Sequence, residues 1–99
     1  MSKELSASEL EVALSGLEGW EHKDDHLQKT YRFGGFRDAV AALVRLSYEA
    51  EDMNHHPEIL NVYNRVEIRL TTHDVGGKVT EKDVKLANRI EDLLGGRGG

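Results

Sequence analysis

The sequence predicts an α+β fold in which one four-stranded antiparallel sheet carries three helices on one face, in the order α-ββ-α-ββ-α. Three observations favour this class. Apolar residues recur at helical spacing in three segments, polar and apolar residues alternate in two pairs of short segments, and a short polar turn joins each pair. Because hairpins separated by helices favour a single antiparallel sheet and no linker divides the chain, we predict one domain over residues 1–94.

The composition is typical of a folded protein and excludes several functions. Of the 99 residues, 38% are hydrophobic and 31% are charged, the formal net charge is −5, and there is no cysteine. A chain without cysteine has no disulfide framework, thiolate zinc site or cysteine nucleophile. An acidic chain with no basic cluster is a poor direct partner for DNA or RNA. No segment is apolar enough to span a membrane or to act as a secretory signal, so we expect a cytoplasmic protein.

The first predicted helix covers Ser6–Leu17. Its apolar positions form one buried face, with the spacing i, i+3, i+4 and i+7. Two capping boxes can start this helix, either Ser6 with Glu9 or Ser8 with Glu11, because in each pair an acidic residue follows the serine by three positions.

The first hairpin is predicted from Trp20–His22 and Leu27–Phe33, around the turn Lys23-Asp24-Asp25. Alternate residues of the longer strand are apolar, except for Lys29, while the residues between them are polar. A half-buried antiparallel strand has this pattern.

The strongest helix signal covers Phe36–Met53. Its apolar residues form a continuous stripe: Phe36, Ala39, Val40, Leu43, Leu46, Ala50 and Met53. Pro57, the only proline, cannot continue a helix and drives the preceding His56 toward an extended conformation. The segment NHHP is therefore predicted to be the exit from this long helix.

The second hairpin is predicted from Ile59–Tyr63 and Val66–His73, with Asn64-Arg65 at the turn. Residues of the second strand alternate between an apolar and a polar face. A sheet of four strands keeps an open edge, so we expect the chain to dimerise edge to edge.

The last predicted helix begins at Thr80, which can form a capping pair with Asp83, and runs to about Leu94. Its inward residues are expected to be Leu86, Ala87, Ile90 and Leu93. The glycine-rich residues 95–99 are expected to form a flexible tail.

Three of the five histidines are candidates for chemistry. His55 and His56 end the long helix and His73 ends a predicted strand, and the ends of elements at one edge of a sheet often meet. Imidazole titrates near neutral pH, so clustered rings with carboxylates suit general acid–base catalysis. Structural interpretations also exist: a cationic ring at a helix C-terminus interacts favourably with the helix dipole, and His73 alone would be a surface residue. His22 and His26 flank a turn and are expected to be exposed.

A metal site is the weaker functional interpretation. Three histidines with Glu51 or Asp83 form a possible ligand set. Adjacent residues project in different directions, however, and the helical HxxxH spacing is missing. We therefore predict no metal site.

The spacing of Glu51, His55-His56-Pro57, Tyr63, His73 and Asp83 resembles the signature of the pterin-4a-carbinolamine dehydratases. The similarity extends to the segments NHHPEILNVYNRVEIRLTTHDVGG and TEKDVKLANRIEDL and begins at LEGWE, so that it covers nearly the whole chain. The resemblance implies the α+β fold described above and a homodimer or a dimer of dimers.

The resemblance also implies a reaction. Aromatic amino acid hydroxylases leave their tetrahydropterin with a hydroxyl group at C4a, and the dehydratase removes water to give quinonoid dihydropterin, which a reductase recycles. The pterin is then the substrate, and no cofactor is expected. By this resemblance the acid–base set is His55, His56 and His73, while Glu51 and Asp83 orient the rings and Pro57 and Tyr63 shape the pocket wall.

The chain differs from commoner family members at Asn54, where aspartate is frequent, and at Ile59, where an aromatic residue is frequent. These differences concern substrate packing and tuning of the histidines, so Asn54 is included among the substrate-binding candidates. The rival function is a protein-binding module, because the family fold also serves as a dimerisation cofactor or assembly factor. The three histidines favour the enzyme.

Overall fold

The computed structural model describes residues 3–95 and confirms the predicted α+β fold. The helices are α1 (Ala7–Ser15), α2 (Phe36–Met53) and α3 (Glu81–Ile90), and the strands are β1 (Glu21–Lys23), β2 (His26–Arg32), β3 (Glu58–Val62) and β4 (Arg65–Leu70). All neighbouring strands are antiparallel, and their order in the sheet is β1-β2-β4-β3. β3 is therefore an edge strand.

The start of α1 follows the first of the two predicted capping boxes. Ser6 Oγ accepts from Glu9 N–H at 3.2 Å, and Glu9 Oε1 accepts from Ser6 N–H at 2.8 Å. These bonds satisfy main-chain donors that the first turn of a helix leaves free. The helix ends at Gly16, slightly before the predicted end, and has no fully buried residue.

α2 packs on the sheet through small side chains. Its fully buried residues are Ala39, Ala42, Leu46 and Ala50. The prediction that Phe36 belongs to the buried stripe is wrong, because its side chain is exposed at the first turn of the helix. Asn54 ends the helix in the left-handed conformation with φ 50°, and asparagine tolerates this conformation better than most residues.

Both hairpin turns differ from prediction by one residue. Asp24 and Asp25 alone form the first turn, both with positive φ, so Lys23 stays in β1. In the second hairpin Val62 pairs with Arg65, so the turn is Tyr63-Asn64 rather than Asn64-Arg65. Both turns are therefore two-residue loops, the commonest hairpin connection, and in the second hairpin the length is as predicted while the position is shifted by one residue.

β4 is shorter than predicted, and this moves His73. The strand ends at Leu70, Thr72 forms an isolated bridge with Lys78, and a 3₁₀ turn covers His73–Val75. The prediction that His73 ends a strand is therefore wrong. In the sequence, Thr72 and His73 continue the alternation between the two faces of β4, but the main chain turns at this point instead.

The last helix changes its winding at its end. After Ile90 a π-helical turn covers Glu91–Gly95, and Leu94 becomes buried while Leu93 is only partly buried. Gly95 therefore belongs to this turn and not to the predicted tail. Residues 96–99 of that tail lie outside the described residues. Within residues 3–95 no helix is both long and apolar enough to cross a membrane.

Candidate active site

His55 and His56 leave the end of α2 in different directions, as expected for adjacent residues. The main chain of His55 still bonds to the helix, with its N–H donating to Ala50 O at 3.0 Å. The His55 ring lies against Asp83 of α3, and the His56 ring lies against Glu51 of α2. The His55 ring therefore contacts the protein interior, whereas the His56 ring lies at the surface.

The His55–Asp83 pair is the shortest polar contact of the site. His55 Nε2 lies 2.6 Å from Asp83 Oδ1, and the exposed fractions of the two side chains are 10% and 0%. Asp83 is the only fully buried carboxylate within residues 3–95. A buried carboxylate needs several hydrogen bonds to offset the loss of water, and this one has them.

The other oxygen of Asp83 is held by two donors. Asp83 Oδ2 accepts from Thr72 Oγ1 at 2.8 Å and from Thr80 N–H at 2.9 Å. The hydroxyls of Thr72 and Thr80 are 2.7 Å apart. Because Thr72 donates its only hydroxyl proton to Asp83, the Thr80 hydroxyl must donate to Thr72.

This chain of donors fixes the His55 ring. In all four hydrogen bonds of this network the donated proton points toward the Asp83 carboxylate, either directly or through the Thr72 hydroxyl. Nε2 of His55 therefore carries a proton and donates it to Asp83. Nδ1 is then the nitrogen of His55 that can accept a proton. A carboxylate in this place also stabilises the imidazolium that would form.

The contact of His56 is much more open. His56 Nε2 lies 2.9 Å from Glu51 Oε1, but the two side chains are 59% and 81% exposed. Exposed ion pairs contribute little to stability, so Glu51 orients this ring only weakly.

The three candidate histidines line one polar pocket of about 330 Å³, which we call the histidine pocket. Its lining residues are Asn54, His55, His56, Thr71, Thr72, His73, Asp74 and Lys82. The prediction that the ends of α2 and the second hairpin bring these histidines together is thus confirmed in position. Their catalytic roles remain predictions.

The other predicted residues lie outside the lining. Asp83 is buried behind His55, Glu51 lies beside His56, and Pro57 is partly buried just after the histidines. Tyr63 is exposed in the turn before β4, nine positions from Thr72 in the chain, which corresponds to ~30 Å at ~3.3 Å per residue of extended strand. Within a single chain Tyr63 therefore does not form the wall of this pocket, in contrast to the prediction.

Four residues of the pocket were missed by the sequence interpretation: Thr71, Thr72, Asp74 and Lys82. Lys82 Nζ lies 3.8 Å from Asp74 Oδ2 at the rim. The sequence does indicate that Thr72 is buried, because it follows the buried positions of β4 at every second residue. A buried threonine does not by itself indicate a place in a site with histidines.

Two further cavities contain none of the three histidines. One of about 370 Å³ lies on the outer face of the sheet, and one of about 390 Å³ lies between α1 and α3. Beside the first, His26 is mostly buried, with Nε2 at 3.1 Å from Glu58 Oε2, so its predicted exposure is wrong. In residues 3–95 no three histidine, aspartate or glutamate side chains are arranged to hold a metal ion.

The model of the pterin 4 alpha carbinolamine dehydratase family matches residues 3–93. The chain belongs to this family. A protein of Opitutus terrae, provisionally named a pterin-4-alpha-carbinolamine dehydratase, is 54% identical over 89 residues, which is 90% of this chain and 92% of that protein. A protein of Sulfurisphaera tokodaii with the same provisional name is 41% identical, over 93% of this chain and 98% of its own length.

Two solved structures of family members differ in their described roles. A transcriptional coactivator/pterin dehydratase from Brucella melitensis is 34% identical and aligns with a TM-score of 0.87 over 92% of this chain and 98% of its own. A pterin dehydratase-like protein identified as a RuBisCO assembly factor in the alpha-carboxysome is 27% identical, with a TM-score of 0.62 over 77% and 87% of the two chains. Membership of the family therefore leaves both an enzyme and a binding protein open.

Proposed function

We propose that this chain dehydrates 4a-hydroxytetrahydropterin to quinonoid dihydropterin by histidine acid–base catalysis. The observation that carries the proposal is the histidine pocket itself, in which three imidazoles converge and one of them is backed by a fully buried carboxylate. Its volume of about 330 Å³ lies at the small end of the range for ligand pockets, which suits a bicyclic heterocycle.

The reaction needs one base and one acid. The N5 proton of the substrate passes to a base, the electrons of that bond form the C4a–N5 double bond, and the C4a hydroxyl leaves as water after an acid protonates it. Groups positioned for such transfers typically contribute ~10²–10⁴-fold each.

His55 is the proposed base. Its Nε2 already donates to Asp83 at 2.6 Å, so Nδ1 is free to take the proton and the carboxylate stabilises the resulting cation. His73 and His56 are the proposed acids, because both rings are exposed at the pocket and can exchange protons with water. Asp83 is a positioning residue in this scheme, and the pterin is the substrate, so that no cofactor is required.

The biological setting follows from the substrate. A 4a-hydroxytetrahydropterin must be supplied by an oxygenase that uses tetrahydropterin, so we propose a functional link to an aromatic amino acid hydroxylase and a cytoplasmic location. The direct test is to add the protein to a hydroxylase reaction and follow carbinolamine decay by absorbance. Acceleration by the wild type that is strongly reduced in His73→Ala supports the proposal, and no acceleration by the wild type contradicts it.

A protein-binding module is the second candidate, and exposed apolar side chains favour it. Phe36, Val44 and Tyr48 of α2 are all exposed. The solved relatives described as a coactivator and as an assembly factor show that the family includes such roles. A stable protein partner together with no pterin turnover would favour this second function.

A further inference from the structure

The tip of the first hairpin contacts the part of the chain that carries the histidine pocket. We call residues Asp24–His26, which are the two turn residues and the first residue of β2, the hairpin tip. Hydrogen bonds and ion pairs link the hairpin tip to residues outside its own hairpin: Glu58, Arg69, Thr71 and Lys78. Thr71 lines the histidine pocket, and Glu58 follows closely after two of its histidines. The hairpin tip is therefore attached to the surroundings of the pocket.

The His26 ring has an oxygen atom beside each of its nitrogens. Nδ1 lies 2.7 Å from Asp24 O, and Nε2 lies 3.1 Å from Glu58 Oε2. A neutral imidazole has one N–H and could donate to only one of these oxygens, whereas the doubly protonated ring donates to both. Two cations oppose a charged ring: Arg69, with Nη2 at 3.4 Å from Nδ1, and Lys23, the cross-strand partner of His26. Because the contact of Nδ1 with Asp24 O is the shorter one, the geometry favours a ring that donates to both oxygens.

The bond from His26 to Glu58 fixes one end of a segment that has few other constraints. This segment, His56-Pro57, lies between α2 and β3, and in residues 3–95 it makes no main-chain hydrogen bond. The last main-chain bond to the helix is made by His55, and Glu51 holds the His56 ring only weakly. The position of the His56 ring therefore depends on how firmly the residue after Pro57, which is Glu58, is held.

Arg69 is less well placed than His26 to hold Glu58. Its Nη1 lies 3.5 Å from Glu58 Oε1, at the limit of hydrogen-bonding distance, and its Nε is buried without a hydrogen-bond partner in the part of the chain that the structure describes. An exposed ion pair contributes little when two long side chains must be ordered to form it. The His26 ring is already ordered by its bond to Asp24 O, so only the Glu58 side chain loses freedom in this contact.

The hairpin tip also holds a second wall of the histidine pocket. Thr71, a buried residue of the pocket lining, donates from Oγ1 to Asp25 O at 3.0 Å. The Asp25 carboxylate accepts from Lys78 Nζ at 3.0 Å, and Lys78 O in turn accepts from Thr72 N–H at 2.9 Å. The chain after β4, which supplies Thr71 and Thr72 to the pocket, is therefore bound to the same turn as Glu58.

The main chain of the turn is strained. Asp24 and Asp25 have φ values of 51° and 62°, and a turn with two left-handed residues usually has glycine at the second position. A residue with a Cβ atom adopts this conformation only at a cost in free energy. Such strain persists where surrounding contacts fix the conformation, and the contacts of the hairpin tip with Glu58, Thr71 and Lys78 do this.

We propose that His26 is a positioning residue for the histidine pocket, and that it orients His56 by holding Glu58. The same hairpin tip orients Thr71 through the main-chain carbonyl of Asp25. His26 does not line the pocket, so it acts through these residues and not on the substrate. The positioning stands on the contacts alone, whereas its effect on turnover rests on the proposed function.

Two substitutions of His26 separate its two hydrogen bonds. The amide nitrogen of glutamine reaches the position of Nε2, whereas that of the shorter asparagine reaches only the position of Nδ1. His26→Gln should keep the bond to Glu58 and most of the wild-type turnover. His26→Asn should keep the bond to Asp24 O but lose the bond to Glu58, and kcat/KM should fall at least several-fold. Each variant loses one hydrogen bond, so their urea midpoints should be similar, and equal losses of turnover would overturn the proposal.

The histidine ring signals in NMR spectra test the positioning without any assay of activity. In His26→Asn the ring signals of His56 should shift, while those of His55 should stay in place because Asp83 holds that ring. In His26→Gln both sets of signals should stay in place. Unchanged His56 signals in His26→Asn would overturn the positioning. If the wild type itself lacks turnover, the proposed function fails, while the ring signals still decide the positioning.

Glu58→Ala tests the same contact from its more exposed side, and it keeps the proposal testable if His26→Asn does not fold. It should shift the His56 ring signals and lower kcat/KM to the same extent as His26→Asn. The double variant His26→Asn/Glu58→Ala should lose no more turnover than either single variant, because both changes remove one contact. Wild-type turnover and unchanged His56 signals in Glu58→Ala, or multiplicative losses in the double variant, would overturn the proposal.

Discussion

Asp83 has two roles, because the same carboxylate caps α3 and holds the His55 ring. Oδ2 accepts from Thr80 N–H at the helix start, and Oδ1 faces His55 Nε2. The sequence predicted the cap from Thr80 and Asp83, and the three histidines from their residue type and spacing. It could not predict that Thr72 completes this network, because that contact depends on how closely the end of β4 approaches α3.

Thr72→Val tests whether the threonine positions His55. Valine has nearly the same shape but cannot donate to Asp83, so stability should fall by ~1–3 kcal/mol, and turnover should fall as His55 loses its fixed orientation. The measurements are urea unfolding and the pH profile of turnover. Thr72→Ser should restore both, because it keeps the hydroxyl.

A destabilised control separates the two effects of Thr72→Val. Ile68→Val, a fully buried position on β4, should cost ~0.5–1.5 kcal/mol without changing the pH profile. If Thr72→Val leaves turnover and its pH profile as in the wild type, the hydroxyl has no role in positioning His55.

The division of labour among the rings predicts non-additive losses. If His55 and His73 transfer protons to and from one substrate, His55→Ala with His73→Ala should reduce kcat/KM by less than the product of the two single losses. Each single variant should unfold near the wild-type urea midpoint, because the rings add little to core packing. Strictly multiplicative losses, or unfolding of His73→Ala, would show that the rings do not act as a unit.

At the scale of elements, Glu91 ties the end of α3 to the first hairpin. Its Oε1 accepts from Lys29 Nζ at 2.8 Å, from Tyr31 Oη at 2.6 Å and from Trp20 Nε1 at 3.1 Å. Burial alone would raise the pKa of Glu91, but these three donors together bring it below its usual value of 4.5. Lys29, the exception in the apolar pattern of β2, is explained by this contact.

Glu91→Gln should therefore destabilise the protein in a pH-dependent way. Because the folded-state pKa is lowered, the stabilisation by Glu91 is present above about pH 4.5 and is lost as the pH falls through the folded-state value. Urea unfolding should show a loss of ~1–3 kcal/mol at neutral pH and a smaller loss under acidic conditions. Glu11→Gln, an exposed change on α1, is the control, and an equal loss by Glu91→Gln at both pH values would contradict this role.

Most elements could be predicted because their hydrophobic period and caps were local signals, as for α2 and the Ser6 capping box. The ends of elements were less predictable. The alternation of residues through Thr72 and His73 predicted a longer β4. The chain turns there instead, so that Thr72 forms a bridge with Lys78. The π-helical turn after Ile90 had no local signal, because it is associated with tertiary contacts of Glu91 and Leu94.

At the scale of the whole molecule, the site is proposed to work without a metal ion. The His55 and His56 rings face different carboxylates, Asp83 and Glu51, and so do not point at one common position. Turnover should survive exhaustive chelation and dialysis, measured with the same protein before and after treatment. A loss of turnover that added zinc or iron restores would contradict this prediction.

The central claim is that the histidine pocket dehydrates the pterin carbinolamine, and its most direct test is the rate of carbinolamine decay against protein concentration. The carbinolamine is generated by a hydroxylase and followed by absorbance, with the double variant His55→Ala/His73→Ala as the folded control. We predict that the decay rate rises in proportion to wild-type protein and stays at the buffer rate with the double variant. A wild-type rate equal to that in buffer, or equal acceleration by the double variant, would contradict the claim.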